Sequence, residues 1–323
     1  MKKSLIAIAV LTAAGAASAQ SSLNLYGVAD VWIGKTKNGD TELGNGGLAS
    51  SRIGFKGTED LGGGLKAHFQ LEQGVSLDTG AAAVPGLSFS RQANVGLSGG
   101  FGSVKFGRSF TALDDINGAA NSAFDSALSA AGSYTNPVWV AYTGSVNDQI
   151  YYSTPSMGGL TGAVGFNLSG DATDITSMHV KYSSGPIYVG VAYQDDKSTT
   201  AGKSIEHMLL NGTYDLGMAV VKASYRTVKN PVGDTFINPK ATEYHVGLDY
   251  PVNSNLTLSV GYANSETEAS NGVTTGKSRR SAGFDFAAGY SLSKRTMLYG
   301  GFNSTKTNGV KDSFVAAGVN HAF

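Results

Sequence analysis

Cysteine is absent from all 323 residues, so neither a disulfide framework nor a thiolate metal site holds this chain together. Proline is scarce at seven residues and tryptophan scarcer at two. Beyond the first nineteen residues, no stretch approaches the roughly 18 to 20 apolar residues that a spanning helix needs, which excludes a helical membrane protein. Lys plus Arg and Asp plus Glu both number 24, so the basic excess expected of a nucleic-acid binder is missing and no such partner is expected. The five histidines are scattered without metal-ligand spacing, and there is no His-Glu-x-x-His segment. Gly100-Phe-Gly102 followed by Gly107 lacks the spacing of a phosphate loop. No metal, no cofactor and no catalytic residue is therefore expected.

What the chain does have is glycine, at 44 residues, and 29 Tyr plus Phe, a composition of strands and tight turns. Alternation follows. From Ser51 to Gln73, Ile53, Phe55, Leu65, Ala67, Phe69 and Leu71 fall on one face, and Arg52, Lys56, Lys66, His68, Gln70 and Glu72 on the other. Ile187, Val189, Val191 and Tyr193 repeat the pattern, as do Tyr244 to Tyr250, Leu256 to Tyr262 and Phe284 to Tyr290. The intervening face is mainly Gly, Ala, Ser and Thr with scattered charge, too small and too wet for a protein core. That favours a water-filled lumen, with lipid on the opposite face.

The N-terminus names the route. Lys2 and Lys3 precede an apolar run from Leu5 to Leu11 and small residues up to Ala17-Ser18-Ala19, the pattern of a signal peptide over 1–19. The alternative, an N-terminal membrane helix, fits less well because the run is short. The mature chain, 20–323, is expected to begin at Gln20 and to carry a net charge of about −2.

Seven short connections are legible: Asp60–Gly64, Gly99–Gly102, Pro155–Gly159, Ser183–Pro186, Asp215–Gly217, Pro251–Asn255 and Ser291–Lys294. They alternate with longer polar segments at Lys35–Leu48, Ser76–Leu87, Asp195–Lys203, Lys229–Lys240, Glu266–Lys277 and Thr305–Lys311. Short turns on one side and long loops on the other are the asymmetry of an outer-membrane barrel. Seven turns and eight loops join sixteen antiparallel strands, with both termini on the periplasmic side. The expected fold is all-β, a 16-stranded transmembrane β-barrel, closed because hydrocarbon cannot satisfy an open edge. Tyr26, Tyr182, Tyr193, Tyr250, Tyr262 and Tyr290 suit interfacial girdles.

One connection is out of scale, about 35 residues from Phe110 to Ser145, with the Ala-rich run Asn117–Gly132. Its low charge and small side chains predict a third loop folded inward against the wall; an exposed surface loop is the alternative.

Several segments then carry a resemblance: Ser22–Asp30, Ser51–Gly74, Phe89–Ser98, Phe101–Arg108 and the last strand ending at Phe323. In this order and over the whole mature chain, they resemble the trimeric general porins of the β-proteobacterial, neisserial type. The resemblance implies a homotrimer in the Gram-negative outer membrane, among lipid and lipopolysaccharide, passing small hydrophilic solutes and ions by passive diffusion. It also implies a constriction where wall cations oppose loop acids: Arg52, Arg91 and Lys56 against Asp114, Asp115 and Asp125. Strict alternation puts Arg91 with Phe89, Ala93 and Val95, so an inward Arg91 requires a bulge or the strand's end. Ser145–Pro155 lacks basic residues that some relatives carry, which implies a weak anion preference. Val315, Ala317, Val319, His321 and Phe323 resemble the C-terminal signal read by the outer-membrane assembly machinery, with His321 where Tyr is more usual.

Two rivals stay open at this point. A barrel-based outer-membrane hydrolase would turn over lipid or ester, and a non-conducting adhesin or structural barrel would bind a partner through its loops.

Overall fold

The structure is a computed structural model that describes residues 22–168, 174–197, 204–231, 237–270 and 275–323. The expected signal peptide and the start at Gln20 lie outside the described residues, as do parts of the expected loops Asp195–Lys203, Lys229–Lys240 and Glu266–Lys277.

Sixteen strands form the wall: β1 (Ser22–Thr36), β2 (Arg52–Gly62), β3 (Leu65–Ser76), β4 (Gln92–Gly99), β5 (Gly102–Phe110), β6 (Ser145–Ser153), β7 (Leu160–Asn167) and β8 (Ile175–Ser184) make the first half. The second half is β9 (Ile187–Asp196), β10 (Ile205–Asp215), β11 (Val220–Lys229), β12 (Ile237–Pro251), β13 (Leu256–Ser270), β14 (Thr275–Ser291), β15 (Thr296–Thr307) and β16 (Val310–Ala322). Each pairs antiparallel with the next, and β16 returns to β1 from Val28↔Ala322 to Thr36↔Phe314, which closes the sheet. Closure leaves no edge to be satisfied in hydrocarbon. Two short strands, Thr41–Asn45 and Ala81–Ala82, belong to the first two long connections; the former continues the ladder above β2 by pairing with Val31–Lys35 of β1.

The faces follow the alternation. Val189, Val191, Tyr244, Val246, Val260 and Phe284 are exposed on the outside, while Gln194, Asn211, His245, Ser259 and Asp285 are buried on the inside. All seven short connections stand where the turn residues put them. At the first, the Asp60 carboxylate accepts the Gly62 N–H at 2.9 Å, and Gly62, Gly63 and Gly64 all adopt positive φ, which only glycine enters freely.

Two expectations need correction. Tyr26 is not a girdle residue: Leu23 and Leu25 take the outer face of β1, and this phase turns Tyr26 inward, where its hydroxyl donates to Glu72 at 2.8 Å. The last polar segments are not long loops either. Thr305–Lys311 is almost entirely strand, closed by a two-residue turn at Asn308 and Gly309, both at positive φ, and much of Glu266–Lys277 extends the β13/β14 ribbon with Glu268 opposite Lys277. Alternating charged and Thr residues pair across a ribbon as readily as they solvate a loop.

No single core fills the barrel. Buried apolar clusters instead lie where residues 111–144 pack against strand residues. Leu113 and Ile116 pack with Ala192 and Leu209, Trp139 with Ala263, and Ala123 and Leu128 with Trp32, Tyr299 and Phe314.

Candidate functional site

Residues 111–144 connect β5 to β6 and are largely buried. Asp114–Asn117 make one helical turn, and Ala123–Asp125 make a tight turn in which all three residues have positive φ. Three successive non-glycine residues there cost on the order of 1 kcal/mol or more each. Contacts around the turn offset that cost. The Ala123 N–H donates to Ser259 Oγ at 2.7 Å, the Ser122 hydroxyl to Asp285 Oδ2 at 2.8 Å, and the Asn121 amide to Asp125 Oδ1 at 2.7 Å. Gly261 is needed here, because a Cβ would overlap the Ser122 hydroxyl.

The segment is fastened along its length to polar side chains of the wall strands. At its start, Ser177 Oγ accepts the Ala112 N–H at 2.9 Å, and Asn211 donates to the Ile116 carbonyl at 2.5 Å. Midway, Lys222 donates to the Asn121 carbonyl at 3.0 Å while pairing with Asp249 at 2.5 Å. Near its end, Arg279 donates to the carbonyls of Pro137 and Val138, each at 2.9 Å. Arg226 and Glu243 form a fully buried pair at 2.5 Å and grip Val140 from both sides: the guanidinium donates to its carbonyl, and the carboxylate accepts its N–H at 2.6 Å. Trp139 and Tyr142 stack on the same guanidinium.

Two of the three expected wall cations come together around one acid. Arg91 Nε lies 2.6 Å and Arg52 Nε 3.8 Å from the nearly buried Glu72, which also accepts from Tyr26. Lys56 stands 4.9 Å over the Tyr26 ring and, among the described residues, has no acidic partner. Arg91 precedes the first residue of β4, so the strand's end releases it from the outward phase of Ala93 and Val95 and lets it turn to Glu72 and the Phe110 ring.

The three loop acids are each held by a neutral donor. Asp114 accepts from the Tyr142 hydroxyl at 2.7 Å, Asp115 from the Tyr151 hydroxyl, and Asp125 from Asn121. Burial pushes the Asp114 carboxyl up to about 6; Asp115 and Asp125 push the same way, while Tyr142 and Arg91 oppose. Partial desolvation raises Asp125 in the same direction although its side chain keeps access to solvent, and the Asn121 hydrogen bond and Lys222 oppose it. Arg91 and all three acids thus share one electrostatic neighbourhood.

Sequence reasoning missed several partners. Glu72, placed on the correct face, was not singled out, yet it neutralises part of the arginine pair. Lys105 lies 4.2 Å over the Tyr151 ring that holds Asp115; it stands in the Phe101–Arg108 motif, and the phase of Ser103 would have found it. Nothing local signals Arg226, Glu243, Lys222 or Arg279, because their targets lie more than 80 residues away.

Ser122, His245 and Asp285 also meet, with Ser122 Oγ 2.8 Å from His245 Nε2. In a hydrolytic triad the carboxylate orients the imidazole, and the imidazole takes the hydroxyl proton. Here the carboxylate takes the hydroxyl itself, the Ser122 N–H points at the same Nε2 at 3.2 Å, and the serine is fully buried. The group is an anchor for the turn.

Known proteins share this architecture. A sequence family described as Gram-negative porin matches residues 4–310. The outer membrane porin protein 32 of Delftia acidovorans is 32% identical over 325 residues, covering 93% of this chain and 88% of that one. The major outer membrane protein P.IB of Neisseria meningitidis serogroup B is 32% identical over 282 residues, covering 81% of each. Among solved structures, an anion-selective porin from Comamonas acidovorans superposes with a TM-score of 0.79 at 25% identity, over 94% of this chain and all of that one. A closed sixteen-strand wall, apolar outside and polar inside, matched over nearly its whole length by porins of both sequence and structure, makes this chain a member of the Gram-negative porin family and a passive channel of the outer membrane.

Proposed function

We propose that residues 111–144 fold into the bore and set its narrowest point, where Arg52, Lys56 and Arg91 on the wall face Asp114, Asp115 and Asp125 on the segment. The observation that carries this reading is the fastening described above: the segment's amides and carbonyls are bonded to side chains of the polar inner face on β8, β10, β11, β12, β13 and β14. Small hydrophilic solutes and ions move down their gradients past it, with no chemical step. Three wall cations, joined by Lys105, are balanced by Glu72 and the three acids, and partial protonation of Asp114, pushed up to about 6, leaves a small positive excess, so the bore has a weak anion preference. The anion selectivity of the Comamonas relative supports that sign. The working form is a homotrimer, exported by the signal peptide over 1–19 and delivered by the assembly machinery that reads Phe323.

Single-channel recording in a planar bilayer tests this. Steady conductance steps with a modest reversal potential toward chloride are expected in a salt gradient. Insertion without steady conductance would overturn the channel, and a cation-selective current would overturn the proposed balance of charge.

A further inference from the structure

Asp30, on the inward phase of β1 with Tyr26, is fully buried and forms no ion pair among the described residues. A charge so placed costs free energy unless hydrogen bonds replace its water. Five donors do so. Its carboxylate accepts the N–H groups of Gly47 at 2.8 Å, Leu48 at 3.1 Å and Ala49 at 3.0 Å, the Tyr299 hydroxyl from β15 at 2.6 Å and the Asn320 amide from β16 at 2.7 Å. Three successive amides turned to one anion make a backbone nest. The main chain of Asp30 takes the flanks: its carbonyl accepts the Gly46 N–H at 3.0 Å and the Ser51 hydroxyl at 2.9 Å, and its N–H donates to Ser51 Oγ at 3.0 Å. One residue thus shapes the stretch from Gly46 to Ser51.

Two carbonyls of that stretch reach groups already assigned to the constriction. The Gly47 carbonyl accepts the Ala127 N–H at 2.9 Å, two residues past the tight turn at Ala123–Asp125, and Leu48 packs on the same buried cluster as Phe124 and Ala127. The Ser50 carbonyl accepts Arg52 Nη1 at 2.9 Å. Arg52 is the first residue of β2, opposite Val28, so the chain that leads into it is the chain that Asp30 holds. With Nη1 on Ser50, Arg52 Nε stays 3.8 Å from Glu72, beyond hydrogen-bond length. A guanidinium released from Ser50 would close on Glu72, because a charge-assisted hydrogen bond is stronger than a pair held apart.

We propose that Asp30 is a positioning residue for ion selectivity: by folding residues 46–51 around its carboxylate, it keeps Arg52 from being neutralised by Glu72 and ties the same stretch to residues 111–144. The proposal rests on the constriction reading for one point, that Arg52 lies on the ion path.

Reversal potentials of the full-length porin in planar bilayers under a salt gradient test this, with Asp30→Asn, Arg52→Gln and the double variant. Removing a negative charge would by itself raise chloride preference, and would do so with or without Arg52. Positioning predicts the opposite sign. Asp30→Asn should move the permeability ratio toward cations about twofold, less than the worth of a whole unit charge at ~4 Å in water, and should change nothing further in the Arg52→Gln background. Gly47→Ala keeps every charge but sets a methyl against the Tyr299 hydroxyl, so it dislodges the same amides and should shift the potential the same way. It carries the test if Asp30→Asn does not fold. A shift toward chloride, no shift, or a shift toward cations that persists without Arg52 would overturn the proposal. Arg52→Gln keeps the two readings apart: if it alone leaves the potential unchanged, the constriction fails and the positioning role with it. If it shifts the potential while Asp30→Asn and Gly47→Ala do not, only the positioning role fails.

Discussion

Gly27 and Phe323 exchange two main-chain hydrogen bonds, each 3.1 Å long, so the last residue of the chain extends the β1–β16 register by one pair beyond Val28↔Ala322. The Phe323 ring lies over Gly27 so closely that a Cβ at position 27 would overlap it. The C-terminal aromatic therefore has a place prepared for it in the closed seam. Gly27→Val should force the ring aside, an overpacking that costs about 1–3 kcal/mol, and should lower the yield of folded barrel. Phe323→Ser should lower that yield too, by removing the ring itself. Heat-modifiable mobility on a denaturing gel reads both, and unchanged folded yield for Gly27→Val would separate the seam contact from assembly.

Selectivity offers a second test. Arg52 and Arg91 bracket Glu72, so reversing both to Glu replaces a net positive cluster with three carboxylates. At ~4 Å in a water-like dielectric each charge is worth about 1 kcal/mol, so the ion preference should change several-fold toward cations. Reversal potentials in a salt gradient measure this. An unchanged potential would mean that the arginines lie off the ion path.

The Arg226–Glu243 pair yields a third prediction. Removing one member of a buried ion pair costs about 3–5 kcal/mol, because the other is left uncompensated. Arg226→Met should lower thermal stability and, because both groups grip Val140, should loosen residues 137–142. Added current noise with little change in mean selectivity is the expected signature in single-channel records. Glu243→Gln keeps an acceptor for the Val140 N–H and should be quieter than Arg226→Met.

How far the sequence revealed this arrangement depends on the range of the interaction. Faces and turns were legible because they repeat locally: Val189 and Val191 differ from Gly190 and Ala192 by a period of two, and Asp60–Gly64 carries its own turn chemistry. Tyr26 was misread because an aromatic on a strand looks the same whichever way it faces; only the phase set by Leu23 and Leu25 decides. Arg52, Lys56 and the loop acids were singled out through resemblance, whereas Glu72 was overlooked because its role depends on two arginines from different strands. The anchors of residues 111–144 were invisible. Ser122 and Asp285 are 163 residues apart, and no local pattern states that a serine in an Ala-rich run will meet an aspartate of β14.

The last prediction concerns pH. Asp114 titrates near 6, chiefly because burial disfavours its charge, and Arg91 and the Tyr142 hydroxyl only partly offset this. As pH falls from 7 to 5 the carboxyl takes up a proton, the loop side loses one negative charge, and chloride preference should rise with a midpoint near 6. Asp114→Asn should start at the higher preference and stay flat through that window. Stability follows the same linkage. A carboxyl raised by folding contributes stability that is fully present below the ordinary aspartate range and is lost as pH rises through about 6, so Asp114→Asn should stabilise the barrel at pH 8 relative to the parent and lose that advantage at pH 4. Reversal potentials and thermal unfolding across this range measure the two effects independently. A midpoint that persists in the Asn variant would assign the titration to another group.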